Sequence, residues 1–136
     1  MKLKALLILL TLLMLAGCAA SADKNNATIK TTDPTYKQVS MSEAAEIMKS
    51  ESDYIILDVR RSDEFAEGHI PGAVNVANED ILDVEPSELP DKSQTIYVYC
   101  RSGNRSRQAA AKLAKMGYTN IIEFGGIIDW TGDVEK

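Results

Sequence analysis

The chain has 136 residues, 45% of them apolar and 26% charged, with a formal net charge of -5. That length suffices for one domain with a real hydrophobic core and leaves no room for two. The acidic balance excludes a nucleic-acid ligand, which needs a basic face, and a single histidine with two cysteines falls short of a metal-ligand set.

At the N-terminus, Lys2 and Lys4 precede an apolar run over residues 5–15 that is too short for a permanent membrane-spanning helix but suits an export signal. Its end, Leu15-Ala16-Gly17-Cys18, resembles the bacterial lipobox, in which the cysteine is lipidated and becomes the first residue of the mature chain. The resemblance implies a lipoprotein signal peptide over residues 1–17 and a lipid anchor on Cys18. It places the protein in the cell envelope, held to a membrane on its extracytoplasmic face. An ordinary signal peptide with a chance cysteine is the competing reading. Residues 18–35 are small, polar and without apolar periodicity, so they are expected to form a flexible tether ahead of a folded domain over residues 36–136. Loss of Lys2 and Lys4 with the leader takes the formal charge from -5 to -7.

Ser40 and Glu43 match a capping box, and Met41, Ala44, Ala45, Ile47 and Met48 recur at helical spacing, predicting a first helix over residues 41–50. Tyr54-Ile55-Ile56-Leu57-Asp58-Val59 is a nearly continuous apolar run rich in branched side chains, as in a strand buried on both faces of a parallel sheet. Asp58, Arg60 and Arg61 mark its carboxyl end. Ser62 is the expected cap of a one- or two-turn helix through Phe65 that stops at Gly68. "HIPGAVNV" then enters a second strand, residues 73–76, through a Pro-Gly turn. Six acids between Glu79 and Asp91 read as a solvated surface, with a docking site for a basic partner as the alternative. A third strand is predicted over residues 95–99, and Cys100 follows it at once. Residues 106–116 are Ala-rich, with Ala109, Ala110, Leu113 and Met116 on one face of a helix that Gly117 closes. A fourth strand over residues 120–124, then Gly125-Gly126 and a short helix around Asp129 and Trp130, complete the order. Strands alternating with helices predict an α/β sandwich with a mostly parallel sheet.

With Cys18 committed to lipid, Cys100 has no partner for an internal disulfide, so it is either buried and inert or free and reactive. Its stretch, "YCRSGNRSRQ" at residues 99–108, holds three of the chain's five arginines. In open parallel sheets ligands bind beyond the carboxyl ends of strands, and Cys100 stands at such an end. The backbone then turns into a helix, leaving N–H groups of Arg101, Ser102, Gly103, Asn104, Arg105 and Ser106 free to converge on an anion. One candidate is the Cys100 thiolate itself, because helix N-termini and cations lower thiol pKa values from about 8.5 to roughly 3.5–7.5. Another is a bound oxyanion held by Arg101 or Arg105. Gly103 supplies torsional freedom for the curl.

Three stretches together resemble the rhodanese-like domains. "ILDVRRSDEFAEGHIPGAVNV" over residues 56–76 is similar to the family signature, "YCRSGNRS" to its active-site loop and "FGGIIDW" to its closing motif. The resemblance implies a three-layer sandwich with a central sheet of four to five strands. It also implies a sulfurtransferase that takes sulfane sulfur from a donor such as thiosulfate, holds it as a persulfide and passes it to cyanide or a thiol, with no cofactor. On this resemblance Cys100 is the nucleophile and persulfide carrier. The N–H groups of Arg101 to Ser106 cradle the outer sulfur, and Arg105, with Arg101 second, holds the anionic donor. Expected partners are the small-molecule donor and acceptor, a thioredoxin-like protein, and the membrane through the N-terminal lipid.

Phosphatase or arsenate reductase chemistry also uses a cysteine in a loop before a helix, but with a C-x5-R pattern. Here Cys100 to Arg105 is C-x4-R, which narrows the cradle toward sulfur. A non-catalytic or redox-sensing module that carries sulfur to or from a partner is the other alternative. Asp58 and Arg60 are read as pairing with each other or bracing the loop from the neighbouring strand end, with direct substrate contact as the alternative. His69 in its turn and Trp130 read as structural, and Glu64 has no assigned role.

Overall fold

The computed structural model describes residues 35–136. The expected leader, Cys18 and all of the tether but Thr35 lie outside the described residues.

Five strands form one sheet: β1 (Lys37–Gln38), β2 (Tyr54–Asp58), β3 (Val74–Asn75), β4 (Thr95–Cys100) and β5 (Ile121–Gly126). Their order is β1-β5-β4-β2-β3, and every pairing is parallel. The helices are α1 (Met41–Met48), α2 (Ser62–Glu67) and α3 (Asn104–Lys115). α3 covers one face of the sheet through Ala109, Ala110 and Leu113, and α1 covers the other through Met41 and Ala44. This is the three-layer α/β sandwich expected from the resemblance.

The central strand β4 shows why its residues are apolar throughout. Successive side chains of a strand point to opposite faces. Ile96, Val98 and Cys100 enter the core beneath α3, while Tyr97 and Tyr99 enter the core beneath α1. Parity therefore turns Cys100 toward α3 before any loop residue is considered. Burial of both faces removes the need for a polar alternation, and the run reads as continuous.

Several boundaries differ from the sequence expectation, each for a local reason. Helix α2 takes Arg61, not Ser62, as its N-cap, because the Arg61 carbonyl already accepts the Phe65 N–H at 3.0 Å. The Glu64 carboxylate then accepts the Arg61 N–H at 3.2 Å. Helix α3 starts at Asn104 and not at residue 106, since Gly103 adopts a left-handed φ of 101° and turns the chain into the helix two residues earlier. β1 has two residues, too short for any periodic signal. The expected terminal helix is a 3-10 turn, Ile127–Asp129, with Trp130 just beyond it.

Beyond β2 lies the most heavily bonded ion pair of the described residues. Asp58 is fully buried, and its Oδ1 accepts from the Arg60 backbone N–H at 2.9 Å and from Nε at 3.0 Å. Its Oδ2 accepts from Arg60 Nη2 at 2.6 Å. The same Nη2 reaches the Gly68 carbonyl after α2 at 2.7 Å. Asn75 of β3 donates to the carbonyls of Asp58 and Arg60 at 2.9 and 2.8 Å. One ion pair thus joins the end of β2, the end of α2 and β3.

Removing one partner of such a pair leaves an uncompensated buried charge. Arg60→Ala is therefore expected to lower unfolding free energy by about 3–5 kcal/mol, read as a fall in the urea midpoint. A loss below about 1 kcal/mol, the value of an exposed pair, would contradict this role.

Candidate active site

The site is the junction of β4 and α3. Cys100 ends β4 at 1% exposure, among residues of the core beneath α3. The chain curls over it so that the Gly103 N–H donates to Cys100 Sγ at 3.0 Å. Gly103 serves as N-cap of α3 in the left-handed region, where a side chain would be strained. Gly126, paired with Cys100 across the sheet, is needed for another reason: a Cβ there would lie 2.1 Å from the Arg101 carbonyl oxygen. The loop backbone rests directly on that of Gly126, and Ile128 N–H donates to the Arg101 carbonyl at 3.3 Å.

The Cys100 thiol is subject to opposed influences. Burial pushes its pKa up, while the Ser106 hydroxyl and the N–H groups of Ser106, Gly103 and Ser102 pull it down, and the net result lies below the ordinary thiol value. Sequence posed burial and reactivity as alternatives; the structure shows a buried cysteine whose thiol is nonetheless held below its ordinary pKa by the donors around it. Of the six loop residues, Gly103 and Ser106 are buried, Arg105 is half-buried, and Arg101, Ser102 and Asn104 are exposed.

Arg105 does not stand open above the loop. Its guanidinium forms a two-pronged bond with Glu64 of α2, Nη1 to Oε2 at 2.7 Å and Nη2 to Oε1 at 2.9 Å. The hydrogen bonds from Arg105, which outweigh the cost of burial, hold the Glu64 carboxyl at about 2. The Arg105 charge still acts on Cys100 through space, since each favours the charged form of the other. Sequence reasoning left Glu64 without a role because nothing in its local spacing points 41 residues ahead.

Glu123 was missed as well. It lies on β5 at 3% exposure, with Oε1 accepting from the Ser106 hydroxyl at 2.5 Å and from the Gly125 N–H at 3.0 Å. A signal existed: a carboxylate two residues after buried Ile121 occupies an inward position of the strand. Asp58 and Arg60 pair with each other at the neighbouring strand end and make no bond to the loop side chains. His69 stacks on Phe65 at 3.7 Å between ring centroids and lies 2.9 Å by Nδ1 from the Phe65 carbonyl. Trp130 packs against the core beneath α1 and donates by Nε1 to the Asp133 carbonyl at 2.9 Å.

A pH dependence follows from the Glu64–Arg105 pair. The Glu64 pKa is depressed from 4.5 to about 2, so the stability it contributes is present in full above about 4.5 and lost as pH falls toward 2. In Glu64→Gln that component is absent, so the gap in urea midpoint between wild type and variant should narrow steadily across this window. Curves that stay parallel down to the lowest pH would show the pair to be energetically silent.

The rhodanese-like domain family matches residues 40–133 of the chain. The chain is 36% identical over 73 residues to the thiosulfate sulfurtransferase PspE of Escherichia coli, covering 54% of this chain and 70% of that protein. It is 35% identical over 107 residues to the thiosulfate sulfurtransferase GlpE of Coxiella burnetii, covering 74% and 97%. Two yeast relatives named adenylyltransferase and sulfurtransferase are much longer, and the chain spans 22% and 26% of their length. Among solved structures, a rhodanese with anions from E. coli superposes with a TM-score of 0.56 at 32% identity, covering 61% of this chain and 98% of that one. A loop that curls backbone donors onto a cysteine at the end of a parallel strand thus occurs here within a chain that belongs to the rhodanese-like domain family.

Proposed function

We propose that the protein is a thiosulfate-type sulfurtransferase working through a persulfide on Cys100. The observation that carries the reading is the Gly103 N–H donating to Cys100 Sγ at 3.0 Å at the start of α3. Sulfurtransferase names among the relatives support the reaction class.

In the first half-reaction the Cys100 thiolate attacks the sulfane sulfur of thiosulfate. A sulfur–sulfur bond forms to Cys100, the bond to the sulfonate sulfur breaks, and its electron pair leaves with sulfite. Charge balances, because a thiolate and a dianion give a persulfide anion and a dianion. In the second, cyanide or an acceptor thiolate attacks the outer sulfur and Cys100 departs as thiolate. Cyanide leaves as thiocyanate; a thiol, including one on a thioredoxin-like protein, leaves as its own persulfide. Each step puts negative charge on a sulfur at the loop, where preorganised N–H donors stabilise it. A dianionic donor draws on Arg101, which is exposed, and competes with Glu64 for Arg105.

The proposal extends to the cell envelope, with lipid on Cys18 tethering the domain to a membrane. The lipobox-like Leu15-Ala16-Gly17-Cys18 supports it.

Two measurements test these readings. Incubation with thiosulfate should add one sulfur, about 32 Da, to the intact mass, a persulfide cap that cyanide removes and Cys100→Ser never acquires. A wild type left unmodified by every sulfane donor would leave only a binding or carrier module. For the anchor, Cys18→Ser should move the protein from the membrane pellet to the soluble fraction of its host, and unchanged sedimentation would reject the lipid.

A further inference from the structure

The transfer scheme uses no carboxylate, yet Glu123 is buried directly behind the cysteine loop. Among the described residues it hydrogen-bonds only to groups able to donate: the Ser106 hydroxyl at 2.5 Å, the Gly125 N–H at 3.0 Å and the Gln38 side-chain amide at 3.1 Å. Ser106 Oγ lies 3.5 Å from Cys100 Sγ. A hydroxyl has one proton to donate and lone pairs to accept with, so Ser106 serves the carboxylate or the sulfur, but not both. Distance decides between them. A separation of 2.5 Å is that of a charge-assisted O–H to carboxylate bond. The neutral carbonyls of Gly103 and Gly125 lie farther off, at 3.0 and 3.4 Å.

We propose that Glu123 is a positioning residue that holds the Ser106 proton away from Cys100, so that Ser106 presents a lone pair to the sulfur and favours the thiol over the thiolate. Backbone N–H groups then remain as the donors to the ionised sulfur. The Ser106 hydroxyl lowers the thiol pKa only when its proton is turned to the sulfur; while Glu123 holds that proton, the backbone N–H groups are the donors that remain. The sulfur is thereby more protonated at rest than the loop alone would make it.

Other charged groups near the pair are accounted for. Arg105 from α3 favours the thiolate and is balanced by Glu64 from α2; Arg101 lies in the loop; Asp58 and Arg60 beyond β2 neutralise each other. Glu43 of α1, Arg107 of α3 and Asp129 line one groove with Glu123. All of these stay in place in the variants below.

The inference takes Cys100 as the sulfur-bearing group of the proposed reaction, but its test reads ionisation and not turnover, so the two fail separately. The full chain is alkylated with iodoacetamide across a pH series, and the rate is read on the Cys100 peptide by mass spectrometry, so that Cys18 does not contribute. Glu123→Gln should lower the midpoint by about one pH unit, a tenfold change in the thiolate-to-thiol ratio. Glu123→Asp keeps the charge but draws it back by one methylene, and should shift the midpoint in the same direction. Ser106→Ala should leave the midpoint at or below the wild-type value, and adding Glu123→Gln to it should shift it by less than about half as much as alone. A rise of about one unit in Ser106→Ala, as loss of a donor to the thiolate would cause, would overturn the proposal even if the Glu123 variants failed to fold. So would a Glu123→Gln shift of equal size with and without Ser106, the mark of a simple field effect.

Discussion

The site depends on how closely one backbone lies against another. The residues after Cys100 must leave the sheet, curl over the sulfur and enter α3, and the space beneath that curl belongs to Gly126 of β5. A Cβ at Gly126 would meet the Arg101 carbonyl oxygen at 2.1 Å, far inside van der Waals contact. With hydrogen there, the loop seats low enough for the Gly103 N–H to reach Cys100 Sγ at 3.0 Å. The pairing of β4 with β5 shifts register between Val98 and Cys100, which brings Cys100 opposite Gly126. Strand pairing thereby sets the geometry of the cysteine loop.

Formal charge contributes less to this site than its arginines suggest. Arg105 is matched by Glu64 in a two-pronged bond, and Ser106 is matched by the buried carboxylate of Glu123. What remains aimed at the sulfur without a competing acceptor is the backbone, whose N–H groups are fixed by the helix start and need no counter-charge. Such dipoles suit a small anion on sulfur. They are already oriented, so little reorganisation accompanies ionisation of the thiol or the persulfide formation proposed above.

The rest of the domain holds this geometry rigid. Both faces of β4 are packed, with Tyr97 and Tyr99 on the α1 side and Ile96 and Val98 on the α3 side. The Asp58–Arg60 pair locks the neighbouring strand end to the Gly68 carbonyl, and Asn75 ties β3 to the same point. Among the described residues no buried side-chain nitrogen or oxygen lacks a hydrogen-bond partner. Each buried polar side chain around the site thus has a partner, which favours one arrangement of the network.

Local and periodic information sufficed for much of this. The branched runs of β2 and β4, the Ala-rich stripe of α3 and the glycines at 103 and 117 are legible in one dimension, because propensity and side-chain parity act between near neighbours. The position of Cys100 at the end of a parallel strand, and the short spacing to Arg105, follow from the same reading. Three things were decided only in the folded chain: that Arg105 is engaged by Glu64, that Glu123 lies behind Ser106, and that Gly126 seats the loop. Each joins residues brought together by the crossover of strands and helices, with sequence separations of 41 for the first and 17 for the second. A charge read in sequence has a sign but no partner; the partner is chosen by packing, which sets both the charge left over for a substrate and the proton left over for a thiol.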